Sequence, residues 1–175
     1  MKFYKTILFL TVYFIATNSI FAQKNCDYKI DTAKIIGNQN LDKLLSEFQN
    51  DSFKITNNKK DIPHFIKKEL DCLVNGFSIA NPGQKYQATD VVFEKLPWRQ
   101  LIFLAYNDSM LVMTYLKGGI GESSHLLIIK FKSKKIIDLW TGFCLNGMKT
   151  KKGIINCIKQ NRNKENGLHT NFIYL

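Results

Sequence analysis

Six side chains in the middle of this 175-residue chain have the types and spacing to do chemistry together: Trp98, Gln100, Tyr115, Lys117, Ser123 and His125. An imidazole beside a phenol and a carboxamide can bind a polar ligand or pass protons near neutral pH, because histidine changes charge in that range. Hydrolytic chemistry is not expected. Ser123 and His125 lie two positions apart, which on a strand separates their Cα atoms by about 7 Å. Asp138 falls opposite Ile129, two rows from the histidine, and no G-x-S-x-G elbow is present.

Other motifs are weaker. The run Gly118-Gly119-Ile120-Gly121 precedes a strand and not a helix, so it reads as a hairpin connection and not a phosphate cradle. His64 and His169 stand in lysine-rich and polar surroundings and should be exposed, and Asp90 suits a turn cap. There is no Cys-x-x-Cys and no paired-histidine spacing, so no metal or cofactor is expected. Nothing in the chain fixes a chemistry by itself.

The elements that must hold these side chains follow from periodicity. Asn40 can cap a helix burying Leu41, Leu44, Leu45 and Phe48. A second helix is expected from Asp61, with Pro63 in its first turn, Ile62, Phe65, Ile66, Leu70 and Leu73 on one stripe, and Gly76 at its end. Residues 50–60 read as a polar connection. Residues 86–96 read as an irregular passage with room for one short strand.

Beyond Pro97, four runs rich in β-branched and aromatic residues cover 98–106, 109–117, 123–131 and 135–142. The breaks between them have hairpin composition, which predicts an antiparallel meander. A short helix over 152–160 and a strand over 170–175 complete an α+β fold: two N-terminal helices packed on a four- to five-stranded sheet.

If each hairpin closes symmetrically, Gln100, Tyr115, His125 and Gly142 form one row across the sheet. Trp98, Lys117, Ser123 and Cys144 form the next row on the same face, with Ile102, Met113, Leu127 and Trp140 further along. The opposite face carries Leu101, Phe103, Val112, Leu116, Leu126, Ile128, Ile137 and Leu139. Both faces are then apolar over most of their length and need cover. Cover from within the chain, and hence a monomer, is expected, with self-association as the alternative.

Residues 1–22 follow the grammar of a secretory signal, with Lys2 and Lys5, an apolar run from Ile7 to Ala16 and a small residue at Ala22. The remainder, 23–175, contains no linker or repeat and reads as one secreted or periplasmic domain with no membrane span. All four cysteines belong to it, and an oxidising compartment favours Cys144 with Cys157 and Cys26 with Cys72.

The chain carries 25 basic and 14 acidic side chains, a formal +11, which falls to +9 without Lys2 and Lys5. Only Arg99 and Arg162 are arginines, and the lysines scatter, so a nucleic-acid reader is not expected. A protein partner, a polar ligand or an anionic envelope component suits this charge better. The resulting expectation is a small exported binding or accessory protein of the cell envelope. A hydrolase-like enzyme using His125 and Tyr115, and an inhibitor or immunity-type protein, are the alternatives.

Overall fold

The computed structural model describes residues 26–92, 94–144 and 148–162. The signal segment 1–22, the strand expected over 170–175 and His169 lie outside the described residues. Within them the chain forms four helices, α1 (Thr32–Ile36), α2 (Leu41–Asn50), α3 (His64–Leu73) and α4 (Lys151–Asn161). It also forms six strands, β1 (Lys54–Thr56), β2 (Ile79–Ala80), β3 (Arg99–Tyr106), β4 (Met110–Lys117), β5 (Ser123–Lys132) and β6 (Lys135–Phe143). The fold is α+β.

The four long strands form an antiparallel meander in the order β3-β4-β5-β6, as their alternation with turn residues implies. β1 pairs antiparallel and β2 parallel with β3, on the edge that β4 leaves open. These two strands, like the five-residue α1, are too short for periodicity to mark them. Lys54–Thr56 therefore corrects the reading of 50–60 as a plain connection, and 86–96 contributes a single bridge from Thr89 to Gly119.

Helix α3 begins at His64, not Asp61, and Pro63 caps it from outside. The residue before a proline is pushed toward extended backbone, and Ile62 has ψ 120° accordingly. A separate 3-10 turn, Lys59–Asp61, takes up the earlier residues. The helix ends at Leu73, with Gly76 at φ 119° in the turn that follows. Asn40 does stand at the start of α2, but its side chain makes no cap. Its amide instead donates to the Asp138 carboxylate at 2.7 Å and to the Leu139 carbonyl at 3.1 Å, tying the helix to β6.

Two bulges decide which residues share a face. The β3–β4 turn closes with Tyr106 opposite Leu111, because the Asn107 side chain accepts from the backbone N–H groups of Ser109 and Met110 and draws both into the loop. Asn107→Ala leaves both donors without that acceptor, and a loss of about 1–2 kcal/mol in urea unfolding is expected. Beyond the turn, Ile102 is an extra residue in β3, and Ile137 is one in β6. Each bulge shifts the register by one and so exchanges the faces of everything past it.

The β5–β6 turn is Ser133-Lys134, at φ 50° and 61°. Glycine or asparagine usually fills this kind of turn, since other residues lose roughly 1–2 kcal/mol each in the left-handed region.

Both sheet faces are buried by the chain itself. One carries Leu104, Leu111, Met113, Leu127, Ile129 and Leu139; the other Phe103, Val112, Thr114, Leu126, Ile128 and Trp140. On the first, Phe65 of α3 meets Phe131 edge-on at 5.2 Å. On the second, Glu47 of α2 pairs with Lys130, and Thr114 donates to the Met148 carbonyl at 2.7 Å. Disulfides join Cys26 to Cys72 and Cys144 to Cys157, the pairings expected from spacing. Among the described residues no helix is long and apolar enough to cross a membrane. The two disulfides are compatible with an oxidising, extracellular location.

Candidate functional site

The register sets Tyr115 opposite His125 and Lys117 opposite Ser123, so four of the six sequence candidates share one end of one face. Trp98 and Gln100 do not. The bulge at Ile102 places Arg99 opposite Lys117 and Leu101 opposite Tyr115, which turns Gln100 and Trp98 away. Gln100 pairs with Leu116 and donates to the Gln84 carbonyl at 2.6 Å, while Trp98 is partly exposed and accepts from the Gly118 N–H. The bulge at Ile137 acts likewise on β6, setting Phe143 where Gly142 was expected and taking Cys144 out of the row.

Two rows therefore build the site. Leu101, Tyr115, His125 and Phe143 form the inner row, and Arg99, Lys117 and Ser123 the outer one. The His125 ring stacks on Tyr115 at 5.4 Å and 19°, and Phe143 meets its other side edge-on at 6.1 Å. Phe77, just past α3, sits edge-on to Tyr115, and the Arg99 guanidinium lies 4.7 Å above the Phe77 ring. That guanidinium also donates a hydrogen bond to the Tyr115 phenol oxygen. Tyr115 is fully buried, and Arg99 and His125 are each only 4% exposed. Lys117 and Ser123 are half-buried.

Burial and charge act on each ionisable group. His125 is pushed down to about 4, first by burial and then by the Lys117 and Arg99 charges, so its ring is neutral at pH 7. Burial holds the Tyr115 phenol up at about 12, with Arg99 pulling the other way. Lys117 is lowered by burial and by Arg99.

Ser123 and His125 come closer than their Cα spacing suggests. Both side chains lean together, and Ser123 Oγ lies 2.7 Å from His125 Nε2. This resembles the first half of a catalytic relay, whose second half would be a carboxylate on the other ring nitrogen. Asp138 sits across from Lys130 and not Ile129, with its carboxylate engaged by Lys34 at 2.8 Å and by Asn40. It therefore does not orient the ring.

A strap formed by residues 84–92 and 94–98 flanks the site. Gln87 is buried and donates through its amide to the carbonyls of Thr89 and Val91 at 2.7 and 2.6 Å. Its own carbonyl would lie 1.8 Å from a Cβ at position 118, so only glycine fits there. The glycine run is thus a hairpin connection, as expected, whose first member lets the strap approach. Asp90 and His64 are both exposed. Among the described residues no three metal-ligating side chains cluster. Two surface clefts, of about 260 and 310 Å³, are lined by neither His125 nor Tyr115.

Arg99, Phe77 and Phe143 are the members that sequence reasoning missed. Arg99 carried a usable signal as one of only two arginines. Comparison of the chain with protein-family models, curated proteins and solved structures finds no match. The architecture and the site thus define the chain as a disulfide-bonded α+β protein with a basic, largely buried polar cluster at one end of its sheet.

Proposed function

We propose that this is an exported binding protein whose ligand is a small anion, a carboxylate or phosphate, held at the Arg99, Lys117 and Ser123 row. The observation that carries the reading is the placement of Arg99 directly opposite Lys117 on neighbouring strands. Like charges so placed destabilise a sheet, and an anion between them relieves the repulsion. Partial burial strengthens that attraction relative to bulk water. His125, neutral beneath them, holds the Ser123 hydroxyl without adding a third positive charge. The N-terminal signal grammar and the two disulfides support the exported half of the reading.

Titration calorimetry at low ionic strength with inorganic phosphate, and separately with acetate, tests the site. Lys117→Met is expected to weaken binding of the preferred anion at least tenfold, with the circular dichroism spectrum unchanged, since a hydrogen bond to a charged group contributes about 1.5–3 kcal/mol. Undiminished binding by this variant would remove the site.

A second reading rests on the Ser123–His125 contact, which suits acyl transfer. The base is poor: forming an imidazolium there costs on the order of 3 kcal/mol more than in water. Turnover of an activated ester that is lost in Ser123→Ala and in His125→Gln would favour this reading over binding.

A further inference from the structure

The hairpin tip between β5 and β6 carries charge where a turn would more easily carry none. Residues 132–135 read Lys-Ser-Lys-Lys, and all four are exposed. Lys134 occupies a left-handed position that glycine would fill without strain. Its presence there, between Lys132 and Lys135, sets three ammonium groups within four residues. Lys68 of α3 lines the same cleft of about 260 Å³ as Lys134 and Lys135, over Phe65 and Ile136. Asp27 and Glu69, the latter accepting the Tyr28 N–H at 2.7 Å, are the acidic groups in that lining, two against the three lysines. Among the described residues, the ion pairs nearest this end use Lys34 and Lys130 and not the tip lysines. Beside the tip, the bulged Ile137 is 51% exposed.

We propose that this tip is a docking surface for an anionic lipid bilayer, with Lys68, Lys132, Lys134 and Lys135 against headgroup phosphates and Ile137 entering the interface. Lysines exposed at a hairpin tip act as point charges that need no fixed register, which suits a fluid surface better than a shaped anion. The net charge of the chain draws the whole molecule to the same surface. The tip and the Arg99–Lys117 site lie at opposite ends of β5, so the two proposals fail independently.

Sedimentation with phosphatidylcholine vesicles, pure or one-third phosphatidylglycerol, provides the test on the disulfide-bonded protein. Binding is expected to the anionic vesicles only and to fade at high salt. Lys134→Gly is expected to reduce the partition coefficient about fivefold while raising the thermal midpoint, because glycine relaxes the turn. Replacing Lys132, Lys134 and Lys135 together by glutamine should reduce it on the order of a hundredfold. Lys117→Met should bind vesicles as the unaltered protein does. Equal binding to both vesicle types, undiminished binding by Lys134→Gly, or binding to soluble polyphosphate without binding to vesicles would each overturn the proposal.

Discussion

Replacing Cys26 and Cys72 together by alanine is expected to lower stability by about 4 kcal/mol, the largest effect of any change considered for this chain. The bridge closes a loop of sequence separation 46, against 13 for Cys144–Cys157, for which about 3 kcal/mol is expected. The difference follows from the entropy the longer loop would regain in the unfolded state. The bridge also anchors the segment before α1 to α3, where Glu69 accepts the Tyr28 N–H. Urea unfolding of the double variants, followed by circular dichroism, measures both values. A loss under about 1 kcal/mol for the longer loop would mean that the unfolded chain keeps its ends together without the bond.

Acid should destabilise the protein through His125 over a defined window. Its pKa is about 4 in the fold, below the ordinary value of 6.5. The unfolded chain therefore binds the proton first. The stability contributed by keeping this ring neutral is fully present above pH 6.5 and is lost as pH falls through about 4, amounting to on the order of 3 kcal/mol. Urea unfolding at stepped pH should show this slope on top of the carboxylate effects. His125→Gln should flatten it across the same window. Tyr115 acts at the alkaline end: its raised pKa, about 12, contributes stability that is present below pH 10 and lost as pH rises toward 12.

The meander and its turns were legible because each depends on composition over several residues, and the two disulfides because cysteine spacing and an oxidising compartment point to them. Tyr115, Lys117, Ser123 and His125 came together because the β4–β5 hairpin closes symmetrically around a five-residue connection. Gln100 and Trp98 were misplaced by one bulged residue, Ile102, whose β-branched side chain looks the same in a regular strand as in a bulge. The same blindness hid Phe143 behind the bulge at Ile137. Arg99 stands beside the misassigned Trp98 in sequence, so the bulge that removed one candidate supplied a second cation opposite Lys117. Asn40 offers a different lesson. It is the right residue at a helix start, yet its amide is drawn off by Asp138 and the Leu139 carbonyl, which local propensity cannot anticipate. The short strands Lys54–Thr56 and Ile79–Ala80 form only because the open edge of β3 is there to receive them.

The proposed anion site at the Arg99, Lys117 and Ser123 row lies against His125, which makes that ring its reporter. Following the His125 ring protons by NMR while titrating pH, first alone and then with saturating inorganic phosphate, puts the site to the test. The free protein should titrate this ring near 4, and phosphate should move its resonances saturably and raise that value by offsetting the Lys117 and Arg99 charges. A ring that titrates at its ordinary value, or resonances that ignore phosphate while lysine signals elsewhere respond, would contradict it.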